Sequence, residues 1–420
     1  MLLKFFKNKT SDFAKALKEG EITKEILIKD KENMLVCGNG VFVYKDSKEL
    51  SKMQLRGGQT LNHAKSPSYS NFHFQDIFGN YHRFFRPYTY KAKELIVRIL
   101  PNAYASGDID LVFTASKKAL LSYTNYREHI LYAPQNLAPK QAFIKVLRLI
   151  KNWLRFFYSA KVIHIQGNMA LLYREVGNYG HFIREVIVGL EQIKRSGVKI
   201  DYYLLPLTAP YHKQMLALLN IPESKVIKAL PHTLFQASNL IIPTLLCEYE
   251  IVEYRENLHF RTLTQSSITP FIYDNLPIAY KEPKRKIFLS RPKDSNRNIE
   301  NANEVEAILK DFGFEVILPD ILSLREQIEM MRETKILAGM HGSGLDNVLF
   351  ANRGIAVFEL FSEYYHDSNP QLSALLKGCK YFYIVGKTTD ISMHPQKESV
   401  YFEPRQIKKA LEIMQQYVEF

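Results

Sequence analysis

The chain has 420 residues, 46% hydrophobic and 24% charged, which excludes a disordered or collagen-like polymer. At about 150 residues per domain, the length predicts two or three domains, each with apolar material for its own core. The 56 Lys and Arg exceed the 43 Asp and Glu by 13, and the surplus is uneven: residues 1–280 carry a net +14 and residues 281–420 a net −1. An acidic partner is therefore expected on the N-terminal two-thirds. No apolar run reaches the ~18–20 residues that span a bilayer, and Lys4 and Lys7 interrupt the apolar start that a signal peptide would need. Three scattered cysteines (Cys37, Cys247, Cys379) give neither a disulfide framework nor a zinc site, so a reducing, cytoplasmic setting is expected.

In chain order, residues 1–100 read as an accessory region of short strands (MLVCG, VFVY) and polar turns. Asp108-Ile109-Asp110 is a D-x-D, a pattern that can chelate a nucleotide-bound metal, but its place before IDLVF reads as a turn entering a strand; no metal site is expected. Between His129 and Arg174 no acidic residue occurs. There AFIKVLRLIKNWLRFF spaces Lys145, Arg148, Lys151 and Arg155 three or four apart, as an amphipathic helix with a basic face. That helix is either core-packed with a solvated face or a peripheral contact with an anionic membrane surface. Residues 165–275 carry a Rossmann-like pattern, with strands MALLYR and YYLLP flanking a helix over YGHFIREVIVGLEQIKRSG that Gly197 ends. His181 and Glu185 lie four apart on that helix, either a surface pair or a histidine–carboxylate suited to general-base work.

KEPKRK (281–286) is the linker candidate. Beyond it, strands at 286–289, 315–318, 335–338, 355–360 and 381–385 alternate with helical periods, which predicts a parallel sheet covered on both faces. Val305, Ile308, Leu309 and Phe312 form one helix face, Ser323 and Glu326 a capping box, and Pro404 opens a final helix over 401–420. Two stretches follow strand ends, where such sheets bind ligands. The first is Ser290-Arg291 with Arg297 beyond it, read as a pyrophosphate holder or a charged surface loop. The second is Gly339-Met340-His341-Gly342-Ser343-Gly344-Leu345-Asp346-Asn347, a glycine-rich turn leading into a helix, in which His341 is expected to stay out of the core. Glu359 ends the next strand, as a ribose acceptor or a turn residue. No H-E-x-x-H, G-x-S-x-G or P-loop pattern occurs.

Together NYGHFIREV (178–186), FLSRP (288–292), the 301–328 segment and AGMHGSGLDNVLFANRGIAVFEL (338–360) resemble glycosyltransferase family 61, from about Gly177 to Val385. The resemblance implies an α/β, GT-B-like fold: two facing Rossmann-like domains with parallel sheets, plus an irregular N-terminal region. It implies an acceptor-side domain over 1–280, a nucleotide-sugar-binding domain over 281–400 and a C-terminal helix over 401–420. The implied activity is inverting transfer from a nucleotide-sugar to a glycan or lipid-linked acceptor, as in bacterial surface polysaccharide synthesis, with no cofactor or metal. It implies donor binding by Ser290, Arg291, Arg297, Gly342, Ser343, Gly344, Leu345, Asn347 and Glu359, with His341 at the phosphate or reacting sugar. Asn178, Tyr179, His181 and Glu185 fall on the acceptor side, with His181 or Glu185 as base. Ser343 replaces a usual alanine, and Arg353 a usual proline that bears on the donor pocket. The alternatives are an NAD-dependent oxidoreductase, disfavoured by SRPKDSNRN where a glycine-rich turn is needed, and a basic nucleic-acid-binding protein, disfavoured because the glycine loop lies outside the positive two-thirds.

Overall fold

Alternation of β-rich runs with amphipathic helices produces two α/β units in the computed structural model of the protein. One comprises residues 1–29 and 93–246, the other residues 30–92 and 247–420. The structure describes residues 10–11, 13–27, 33–37, 40–44, 75–80, 82, 95–107, 111–120, 160–172, 178–205, 207–244, 249–254, 257–262, 264–266, 268–292, 295–365, 369–392 and 397–420. The basic stretch AFIKVLRLIKNWLRFF and the Asp108–Asp110 pair lie outside them. The boundary expected near 280 falls instead at 246/247.

In the first unit, β1 (Ile96–Pro101), β2 (Tyr104–Ser106), β3 (Lys161–Leu171), β4 (Tyr202–Leu205), β5 (Val226–Lys228) and β6 (Thr233–Ile242) share one sheet. β6 runs parallel to β3, β3 to β4 and β4 to β5. β1 and β2 pair antiparallel with β6, so the sheet is mixed rather than wholly parallel. The cause is the length of β6: ten residues present two full edges, and β3 occupies only one. The helix expected over 179–197 is present but composite. Tyr179–His181 is α, Phe182–Val186 is π, and α1 (Ile187–Ser196) continues to Gly197, whose φ of +71° suits a residue without Cβ. Phe182, Val186 and Ile193 are buried, as their spacing predicts. Gln192 pins α1 to the end of β6, donating to Thr244 O at 2.9 Å and accepting from Thr244 N at 3.2 Å. α2 (Pro210–Leu218) follows β4.

Past short strands over Tyr249–Tyr254, Asn257–Thr262 and Thr264–Ser266, the second unit continues with α3 (Ile268–Asp274) and a five-stranded sheet. This sheet is wholly parallel, with β7 (Arg285–Leu289), β8 (Glu315–Ile317), β9 (Thr334–Met340), β10 (Ala356–Phe361) and β11 (Lys380–Val385) in the order β8–β7–β9–β10–β11. All five strands fall where the apolar runs predict them. α4 (Ala302–Asp311), α5 (Leu324–Glu333), α6 (Asn369–Leu376) and α7 (Pro404–Met414) connect or flank them. Ser323 and Glu326 form the capping box at the start of α5. Every residue of β10 is buried, so both sheet faces are covered. On one face Phe358 and Leu360 pack with Val305 and Leu309 of α4 and with Ile407, Leu411 and Met414 of α7. The C-terminal helix is therefore part of this core and not a separate element. Among the described residues no helix is long and apolar enough to cross a membrane.

Asp274 at the end of α3 holds two cations: Lys377, whose side chain is fully buried and bonds Oδ1, and Arg353, whose Nη2 lies 2.6 Å from Oδ2. Arg353 is thus an anchor for α3, and it does not line the cavity beside Arg291 described below. Asp274→Ala strands a buried ammonium, and removing one partner of a buried pair costs about 3–5 kcal/mol. A drop of that size in denaturant-unfolding free energy is expected for Asp274→Ala, with recovery of part of it in Asp274→Ala/Lys377→Met.

Candidate active site

The chain order of the second unit sets where a ligand belongs. From β7 the polypeptide goes outward to β8 and then returns to β9 on the other side of β7. The loops after β7 and β9 diverge there, which is the switch point where open parallel sheets bind ligands. Ser290, Arg291 and Arg297 follow β7; His341 and Gly342 follow β9.

Both arginines converge on one backbone oxygen. The carbonyl of His341 accepts from Arg291 Nη2 at 2.6 Å and from Arg297 Nε at 3.1 Å. Arg291 also donates to Met340 O (3.1 Å) and, through Nη1, to Asn296 O (2.7 Å). Gly342 makes this possible. Its φ is +151°, and a Cβ there would lie 2.3 Å from Arg291 Nη2 and 2.9 Å from Arg297 Nη2. Arg297 itself has φ +57°, a conformation that costs a non-glycine residue about 1 kcal/mol or more, and its guanidinium sits 4.9 Å from the centroid of the Tyr365 ring. Burial, with the neighbouring Arg297 charge, lowers the Arg291 guanidinium to about 9, so it remains cationic at neutral pH. Among the described residues no carboxylate forms an ion pair with Arg291, whose hydrogen bonds go to carbonyls. Two adjacent cations held this way form a receptor for an anion with several oxygens.

His341 is buried, contrary to the solvated position expected of it. It is 1% exposed, stacks on Phe361 at 4.6 Å between centroids, and places Nδ1 2.6 Å from Glu359 Oε1. Glu359 is fully buried on β10, and its Oε2 accepts from the Tyr381 hydroxyl. Burial and then the Glu359 charge raise the Tyr381 phenol well above its usual value, which keeps it a donor. With one oxygen on His341 and the other on Tyr381, Glu359 orients the imidazole and is shut away from a ribose.

The remainder of the glycine loop is structural. The helix expected here, Ser343–Phe350, winds as a 3₁₀ helix, and the three-residue repeat puts Leu345, Val348 and Ala351 together in the core. Leu345 is 1% exposed, and Asn347 donates to Gln327 Oε1 at 3.0 Å. Ser343 and Gly344 are half-buried. A cavity of about 270 Å³ opens beside the arginines, lined by Ser290, Arg291, Arg297, Met340 and residues of α4 that include Glu306. None of Gly342, Ser343, Gly344, Leu345 and Asn347 lines it. Among the described residues no three His, Cys, Asp or Glu side chains gather where they could hold a metal ion.

In the first unit, His181 Nδ1 lies 2.5 Å from Glu185 Oε1, with the carboxylate side chain 3% and the imidazole 15% exposed. This is a partly buried, oriented pair and not a solvated surface contact. It spans the π turn Phe182–Val186, and single π turns inside helices concentrate at functional sites. Asn178 is the N-cap, its side chain accepting from His181 N at 3.2 Å, and Tyr179 meets Tyr211 edge-on at 5.0 Å. No sequence motif marks Tyr211 and His212, which pack against Phe182 of this helix. Burial lowers His212 to about 4, and its Nδ1 accepts from Thr208 N and Ala209 N, so it caps α2 as a neutral ring. No motif marks Glu306 either, whose only signal is its place beside the buried Val305 on α4.

One unit carries a cationic pair at its switch point, and the other a histidine–carboxylate pair on a helix. The family model for Glycosyltransferase 61 matches residues 179–358. The chain is also 33% identical over 102 residues to the EGF domain-specific O-linked N-acetylglucosamine transferase of Drosophila melanogaster, which covers 23% of this chain and 19% of that protein. A solved structure, the bacterial iron-containing dodecameric glycosyltransferase TibC from enterotoxigenic E. coli, aligns with 48% of this chain and 58% of its own, at 12% identity and a TM-score of 0.26, too low to argue from.

Gly342→Ala should displace Arg291 and Arg297 from the His341 carbonyl. Pyrophosphate titrated calorimetrically into the folded variant is expected to bind at least about tenfold more weakly than to the wild type, the scale of one lost charge-assisted hydrogen bond.

Proposed function

We propose that the protein is an inverting, GT-B-class glycosyltransferase that moves a sugar from a nucleoside diphosphate to a glycan or lipid-linked acceptor, in surface polysaccharide synthesis. The observation that carries the reading is the pair Arg291 and Arg297 converging on the His341 carbonyl at the switch point. In the reaction, the acceptor hydroxyl oxygen bonds to the anomeric carbon from the face opposite the leaving group. The bond from that carbon to the diphosphate oxygen breaks, its electron pair leaves with the diphosphate, and the hydroxyl proton passes to the base. Arg291 and Arg297 stabilise the charge that develops on the leaving diphosphate, a role that needs fixed cations in a low-dielectric site and that a metal ion fills in other enzymes.

His181 and Glu185 supply the base. Glu185 Oε1 against Nδ1 fixes the ring and stabilises the imidazolium that forms if Nε2 takes the proton; the reverse assignment has the carboxylate as acceptor and His181 as positioner. His341 belongs to the donor side, oriented by Glu359 and Tyr381. The net +14 of residues 1–280 supports an anionic acceptor and a peripheral site of action at the cytoplasmic face of a membrane.

Two outcomes test the reading. In Arg291→Ala, affinity for a nucleoside diphosphate, measured in EDTA, should fall by about tenfold or more, whereas retained binding would remove the arginine pair from the donor site. Replacing the base should lower kcat by roughly 10²–10⁴-fold with nucleotide affinity unchanged. If that base is His181, His181→Ala abolishes the acidic limb of the pH–rate profile; if it is Glu185, Glu185→Gln does so.

A further inference from the structure

The donor-side cavity has two chemically distinct ends. Arg291 and Arg297 give one end positive charge. The lining also carries two carboxylates, Glu300 ahead of α4 and Glu306 on it. Glu300 is bonded by Thr389. Glu306 accepts from Ser290 Oγ at 2.8 Å through Oε1, and among the described residues nothing in the protein bonds its Oε2. Glu306 forms no ion pair with Arg291 or Arg297 among the described residues, and the charges that act on Arg291 are Arg297, Glu359 and Asp320. The carboxylate is therefore held in place by a hydroxyl and not neutralised by the nearby cations. It is half-buried, on the fifth residue of α4, and shares the cavity with them.

A cavity of about 270 Å³ is slightly under the ~300–1,000 Å³ usual for small-molecule sites, so it accepts part of a nucleotide: a pentose with its first phosphate. An ionised carboxylate only accepts hydrogen bonds, so what it selects is a ligand with donors, and a ribose 2′,3′-diol supplies two. Glu359, the acid expected to take this part, is fully buried with both oxygens in use. Resting on the donor reading above, we infer that Glu306, positioned by Ser290, accepts the ribose hydroxyls of the donor nucleotide and makes the site selective for ribo- over deoxyribonucleotides.

The test uses the full chain and calorimetry with UDP, GDP, ADP and CDP, their 2′-deoxy counterparts, and inorganic pyrophosphate. Wild type is expected to bind its best ribonucleotide roughly tenfold tighter than the 2′-deoxy form, one charge-assisted hydrogen bond. Glu306→Ala should bring that ratio close to one while leaving pyrophosphate affinity unchanged, and Ser290→Ala should lower the ratio by a smaller factor. A ratio preserved in Glu306→Ala overturns the inference, as does an equal loss of pyrophosphate affinity, which would mark Glu306 as structural. Arg291→Ala separates the two levels: it should weaken nucleotide and pyrophosphate together and keep the ribose ratio. If wild type binds none of the four nucleotides, the donor reading falls and this inference with it.

Discussion

Two guanidinium groups share one carbonyl oxygen, and they do so because the residue after that carbonyl has no side chain. The Gly342 backbone at φ +151° leaves the space that Arg291 and Arg297 fill, and any Cβ would overlap both. The arrangement is electrostatically expensive: like charges sit side by side, partly desolvated, with carbonyl dipoles for company. Their neighbourhood lowers the proton affinity of Arg291 without removing its charge. A compact polyanion would relieve that repulsion, which is the physical basis of the proposed diphosphate site. Arg297, with its own strained backbone, is held in the same way.

Behind this pair lies a second, buried chain of polar groups, from His341 to Glu359 to Tyr381. His341 contributes its carbonyl to the arginines and its ring to the carboxylate, so one residue couples the anion site to the interior of the sheet. Phe361 stacks on the imidazole and Tyr365 carries the Arg297 guanidinium, which leaves the ring little rotational freedom. A buried, hydrogen-bonded polar network of this kind acts as a rigid mount. The first unit mounts its own histidine differently. There a π turn and an i,i+4 carboxylate orient His181 on a helix that Gln192 ties to the end of β6.

The sequence alone determined the strands of the parallel sheet, the apolar faces of α4 and α7, the capping box of α5 and the Gly197 stop. Each is a local matter: periodicity, cap chemistry or a positive φ is written in adjacent residues. The order and spacing of the segments also carried the resemblance to glycosyltransferase 61, and the pairing of His181 with Glu185 followed from helical spacing. Tertiary structure decided the rest. The strand β6 proved long enough to take β3 on one edge and β1 and β2 on the other, which no single segment announces. A glycine-rich turn gives no sign of whether its histidine faces water or a core. His341 is buried because Glu359 and Tyr381, 18 and 40 residues away in sequence, come together on neighbouring strands. For the same reason Glu306 and not Glu359 lines the cavity, since which of two carboxylates reaches it depends on which face of the sheet or helix borders it. Residue type and spacing fix what a side chain is able to do; long-range packing fixes which of them meets the ligand.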